Sequence, residues 1–156
     1  MKHYLVRELY TNMPASDLPE VKVNGWVRTM RESKAFAFVE LNDGSCLRNL
    51  QIVAEEAKLA NFDELCRQNV GAALCVTGRL LLTPEAKQPC EIHAETVTVE
   101  GASTPDYPLQ KKRHSLEYLR TIAHLRPRAN TFSAVFRVRS ACAFAIHEFF
   151  HSRGFI

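Results

Sequence analysis

Four side chains within residues 23–51 have the chemistry to hold a single-stranded nucleic acid: Arg28, Arg31, Phe38 and Gln51. Guanidinium groups neutralise phosphate, an aromatic ring offers a face on which a base can stack, and a carboxamide both donates to and accepts from a base edge. These groups must be set side by side by extended chain. Val23, Gly25 and Val27 alternate with Asn24, Trp26 and Arg28, the period of two expected of a half-buried strand, and the alternation resumes from Phe36 to Leu41 after a charged turn. Asn42–Asp43–Gly44–Ser45 predicts a tight turn, and Leu50, Ile52 and Val53 mark a return strand with Gln51 facing outward between them.

The same residues have plainer uses. Phe38 lies among ring and aliphatic neighbours, and the pattern alone favours an ordinary core phenylalanine, whose burial contributes about 1.5–3 kcal/mol. Gln51 can be a solvated strand residue. Arg28 and Arg31 can equally hold phosphate or form surface salt bridges to Glu32 or Glu40, which contribute little.

Residues 1–12 are predicted to form a short amphipathic helix through Tyr4, Leu5, Leu9 and Tyr10, ending before Met13 and Pro14. Strands are predicted over 21–31, 35–41 and 49–53. A helical spacing follows over 55–68 (Ala57, Leu59, Ala60, Phe62, Leu65), then strands over 71–82 and 90–99. Five strands with a helix after the third is the order of an OB-fold, a five-stranded, partly open barrel whose second and third strands commonly meet oligonucleotides. Residues 101–108 are rich in turn formers, which places the end of the barrel at about Glu100. Ser115 can cap a short helix carrying Leu116, Leu119 and Ile122, and Pro127 interrupts the chain. From Thr131 to Ser152 the spacing is helical again, with Phe132, Val135, Phe136, Ala143, Ile146, Phe149 and Phe150 on one stripe and Gly154 as its stop.

Composition agrees with a globular chain: 156 residues, 46% hydrophobic and 24% charged. A net charge of +3 does not by itself demand an anionic partner. Its distribution is more telling, because Lys111, Lys112, Arg113, Arg120, Arg126 and Arg128 stand against only Asp106 and Glu117 between residues 101 and 128. The five cysteines are irregularly spaced, which suggests neither a disulfide framework nor a zinc motif and fits a reducing cytoplasm. No apolar run reaches the roughly 20 residues of a membrane span, and no secretory signal pattern opens the chain. His147 and His151 share a helical face without the companions of a metal site, so no metal is expected. No motif of catalytic chemistry occurs, and no catalytic residue is assigned.

Two long stretches, GWVRTMRESKAFAFVELNDGS and RHSLEYLRTIAHLRPR, resemble the asparaginyl-tRNA synthetases, class II ligases of the aspartyl, asparaginyl and lysyl subgroup, and the similarity runs from about Val21 onward. The resemblance implies an N-terminal fragment divided into an extension (1–20), an OB-fold anticodon-binding domain (21–100), a hinge with a short helix (101–128) and the truncated start of a catalytic domain (129–156) carrying the motif 1 helix. It implies that Phe38 stacks on the middle anticodon base, that Gln51 reads the edge of that base, that Arg28 and Arg31 engage phosphate or a base, and that Glu91 accepts hydrogen bonds from a neighbouring base. The partner it implies is tRNA, through the anticodon stem-loop. For the parent enzyme it implies ATP and Mg2+, asparagine activation, a homodimer formed by the catalytic domain and a cytoplasmic location. The fragment alone is expected to be inactive because motifs 2 and 3 do not occur in it. Two other readings stay open: a free-standing OB-fold nucleic-acid-binding module and an aspartyl-type ligase.

Overall fold

The computed structural model describes residues 2–156, which fall into two compact units that divide between Lys112 and Arg113. The first is a barrel of five strands: β1 (Leu18–Ser33), β2 (Phe36–Asn42), β3 (Leu50–Glu55), β4 (Ala73–Leu82) and β5 (Cys90–Gly101). Neighbours run β1-β2-β3-β5-β4 and the barrel is closed, not partly open as the sequence suggested. Closure comes from the length of β1. Its 16 residues pair antiparallel with β4 from Leu18 to Trp26 and with β2 from Trp26 to Ser33, with an irregularity in the β2 register between Val27 and Thr29. One strand thus belongs to both sides of the seam, and no edge is left there.

Alternate residues fill the interior. Val21, Val23 and Val27 of β1, Val39 and Leu41 of β2, Leu50 and Ile52 of β3, Leu74, Val76 and Leu80 of β4 and Ile92 of β5 are all buried in one cluster. Each such side chain stabilises the fold by about 1.5–3 kcal/mol on leaving water. At Gly78 a side chain is excluded outright, since a Cβ there would sit 2.0 Å from the backbone oxygen of His93 on β5. The close approach of β4 and β5 therefore requires glycine.

The first two helical segments are shorter than the apolar spacing predicted. The N-terminal helix α1 spans only Val6–Thr11, because the chain before it is held extended: Tyr4 N–H donates to the Lys22 carbonyl (2.9 Å) and Lys22 N–H to that of Lys2 (3.2 Å). Its first turn is capped from afar, Val6 N–H donating to Asp43 Oδ2 (2.8 Å) and Arg7 N–H to Ser45 Oγ (2.9 Å). The helix predicted over 55–68 contracts to α2 (Phe62–Cys66). Strand β3 runs on to Glu55, and of the predicted apolar positions Leu59, Phe62 and Leu65 are buried while Ala57 and Ala60 are exposed.

Residues 102–112 lie on the barrel. Asn69 Nδ2 donates to the Ser103 carbonyl (2.9 Å), Ser103 Oγ donates to that of Val70 (2.8 Å), and the Tyr107 ring covers Gly71, where a Cβ would stand 2.8 Å from it. In the second unit, Ser115 Oγ accepts from Tyr118 N–H (3.2 Å) at the start of α3 (Leu116–Thr121), as predicted. A short 3-10 turn at Arg126–Arg128 precedes α4 (Asn130–His151). Gly154 adopts φ +82°, and Phe155 N–H reaches back to the Phe150 carbonyl (3.2 Å), the helix stop that Gly154 predicted. No described helix is long and apolar enough to cross a membrane.

Candidate nucleic-acid interface

The strand register assembles the candidate residues into two adjoining rows on the outer surface of the barrel. Arg31 pairs with Phe38, Phe38 with Val53, Val53 with His93 and His93 with Arg79, so the first row crosses β1, β2, β3, β5 and β4 in turn. The second row runs Thr29, Glu40, Gln51, Glu91, Leu81 by the same pairings. Two residues of strand separate the rows, about 7 Å.

In the first row Phe38 faces outward and is half-buried, outside the core that the alternation alone favoured for it. Its inward neighbours on β2 are Ala37 and Val39. The ring is steadied by Phe36, whose centroid lies 6.4 Å away, and the exposed Arg31 guanidinium stands 5.7 Å from its centroid. Among the described residues no ion pair joins Arg31 to Glu32 or Glu40. Val53, only 6% exposed, forms an apolar floor between Phe38 and His93. A flat ring on such a floor with a cation above it suits stacking of a base and approach of its phosphate.

The second row is polar. Gln51 Nε2 donates to Glu91 Oε2 (2.8 Å), and the other carboxylate oxygen of Glu91 meets His93 Nε2 at 2.9 Å. Asn49 Nδ2 donates to Glu40 Oε2 (3.1 Å). Beside this row a cleft of about 340 Å³ is lined by Tyr10, Glu40, Arg48, Asn49, Gln51 and Lys87, among others. Tyr10 Oη donates to the Asn49 carbonyl (2.7 Å), and the Arg48 guanidinium lies 5.2 Å from its ring centroid. Burial above all, with the neighbouring Cys90 and Cys46, pushes the Tyr10 phenol up to about 12.

Arg28 is set apart from the other candidates. It sits at the irregularity of β1 and lines a second cleft of about 370 Å³ with Thr29, Lys111 and Lys112, which shares Glu40 and Asn49 with the first. The structure thus brings Arg31, Phe38, Gln51 and Glu91 onto one pair of rows and places Arg28 beside the basic residues that follow β5. Sequence reasoning missed Glu40, Asn49, Arg48, Tyr10 and the place of His93. Parity could have found two of them, since Glu40 is two residues from Phe38 and His93 two from Glu91, hence on the same faces. Among the described residues no group of three or more His, Cys, Asp or Glu side chains is placed to hold a metal ion, and the five cysteines are free thiols.

Residues 21–100 match the tRNA anticodon family, an OB-fold nucleic acid binding domain. The chain belongs to this family. Members of the OB-fold family can lie within longer proteins, and the relatives here do. Asparagine–tRNA ligase of Acetivibrio thermocellus is 63% identical over 156 residues, all of this chain and 34% of the ligase. That of Alkaliphilus oremlandii is 56% identical over the same coverage. The chain therefore spans about a third of the length of these curated relatives. Among solved structures, asparaginyl-tRNA synthetase from Pyrococcus horikoshii complexed with asparaginyl-adenylate superposes with a TM-score of 0.85 at 22% identity, over 99% of this chain and 35% of that one. Aspartyl tRNA synthetase from Entamoeba histolytica gives 0.82 at 21% identity, over 100% of this chain and 38% of that one. At these identities the two structures share the OB-fold family's architecture and say nothing of substrate.

Proposed function

We propose that the barrel reads the anticodon of a tRNA as part of an asparagine–tRNA ligase. The observation that carries this reading is the juxtaposition of an outward Phe38, with Arg31 over it, and the Gln51 amide one row away on the family's nucleic-acid-binding barrel. The relatives supply the choice of asparagine. In this reading Phe38 stacks on the middle anticodon base, Gln51 reads its edge, Arg31 meets phosphate or a base, Arg28 does so from its own cleft, and Glu91 accepts from a neighbouring base. Uracil presents one N–H donor between two carbonyl acceptors, so a carboxamide can pair with it through both of its functions.

The whole ligase would join asparagine to its tRNA in the cytoplasm, with ATP and Mg2+ serving the activation step. No described cluster here fits the metal, and the residues of the barrel bind and orient RNA. Residues 21–100 form the anticodon-binding domain, preceded by an extension over 1–20 and followed by a hinge over 101–128. Helix α4 begins the catalytic domain, and its apolar side chains are covered within that domain and at the interface of a homodimer. Binding of an RNA stem-loop with a GUU anticodon tests the site. Phe38→Ala is expected to weaken binding by about 1–3 kcal/mol, and Gln51→Ala to reduce the preference for the middle uracil more than the affinity itself. Unchanged binding by Phe38→Ala would count against the stacking role.

A further inference from the structure

We infer that His93 is a positioning residue that fixes, through Glu91, which way the Gln51 amide faces and thereby which base it accepts. The inference rests on the anticodon reading above. An amide side chain can turn end over end, and the two orientations prefer different partners. With Oε1 toward the base, Gln51 accepts from the ring N–H of uracil. Turned over, it presents N–H to the ring nitrogen of cytosine, which is an acceptor. Discrimination between these bases thus requires that the turn be prevented.

The structure prevents it by a chain of fixed hydrogen-bond polarity. An ionised carboxylate only accepts, so Glu91 Oε2 at 2.8 Å must meet the amide nitrogen of Gln51 and not its oxygen. The other oxygen of Glu91 is held by His93 Nε2 at 2.9 Å, which donates whether the imidazole is neutral with its proton there or cationic. Held at both oxygens, the carboxylate cannot swing away and release the amide. One amide hydrogen of Gln51 is taken by Glu91, leaving the second hydrogen and Oε1 for a base.

The frame beneath these groups is rigid. Gln51 pairs with Glu91 and Val53 with His93 across the parallel β3–β5 ladder. His93 is locked against β4 where its carbonyl abuts Gly78. The Glu91 side chain is 17% exposed, which limits competition from water, while that of His93 is 41% exposed, so its replacement leaves the core untouched. The neighbour that could supplant it is Arg79, its register partner on β4.

The test compares the 156-residue chain with His93→Ala, His93→Leu and His93→Gln, using stem-loops with GUU and GCU anticodons. The two variants without a donor should lose roughly three- to tenfold of the preference for GUU, the size of one net hydrogen bond, mainly by binding GCU better. His93→Gln, which can still donate to Glu91, should retain it. A merely structural role would weaken both RNAs alike. In the free protein, the side-chain amide protons of Gln51 should shift by NMR in the donor-less variants and not in His93→Gln. An unchanged preference in His93→Ala and His93→Leu, or an equal loss in His93→Gln, overturns the inference and leaves the anticodon reading standing. Equal binding of GUU and GCU by the unsubstituted chain overturns both.

Discussion

Phe38 shows how little a residue's type says about its job until its face is known. A phenylalanine flanked by alanine and valine reads as core, and within 36–41 only Glu40, on the same parity, marks its face as the outer one. The structure settles parity through Ala37, Val39 and Leu41, which are buried, and leaves Phe38 outside with Arg31 above it. Tyr10 is a second case of context outweighing type. Its phenol, mainly through burial, rises from 10.0 to about 12, and its hydroxyl donates to the Asn49 carbonyl. An unfolded chain releases this proton first, so the contribution of Tyr10 is fully present below pH 10 and is lost as pH rises through about 12. Denaturant titrations of the chain and of Tyr10→Phe over that range check it: the decline in stability should be shallower in the variant. Parallel declines would mean that Tyr10 carries no pH-linked stability.

At the scale of elements, the strands, α3 and α4 were legible, and the two short helices of the barrel unit were not. All five strands lie within a few residues of their expected bounds, because one face of each must fill the barrel. Helix α1 instead begins where distant groups decide: its first N–H groups find Asp43 and Ser45, some 37 and 38 residues away, and no local pattern contains that information. Closure of the barrel was likewise invisible, since it depends on β1 being long enough to pair on both sides. The tight crossing at Gly78 is the point on which the β4–β5 frame depends. Gly78→Ala should destabilise the chain by about 3 kcal/mol, the upper end for overpacking, because the His93 backbone oxygen stands 2.0 Å from the added carbon. Chemical denaturation measures it, and a cost below about 1 kcal/mol would show that the strands part there easily.

Across the whole molecule, the contrast between the two units is in burial. The barrel encloses its apolar residues, whereas α4 buries none of its own, leaving Val138 63%, Phe144 70% and Ile146 59% exposed. Some rings are partly covered by local cations: the Arg126 guanidinium is 5.0 Å from the Phe132 centroid and that of Arg153 is 3.6 Å from the Phe149 centroid. At roughly 25 cal/mol per Å², several such side chains in water cost several kcal/mol. The 156-residue chain should therefore self-associate, and a chain ending at Lys112 should be a monomer with its RNA affinity intact. Light scattering on both distinguishes them, and a monomeric 156-residue chain would contradict this account of α4. The turn-rich composition of 101–108 marks irregular chain but does not reveal that Ser103 and Tyr107 fasten it to the barrel.

If the two outer rows read the middle base of an anticodon, the chain must discriminate at that base. Titration of the unsubstituted chain with two stem-loops that differ only in the middle position, GUU and GAU, should show clearly tighter binding of the uracil form. An adenine presents a different pattern of donors and acceptors to the Gln51 amide held by Glu91. Equal affinity for the two RNAs would contradict the account, whatever the strength of binding.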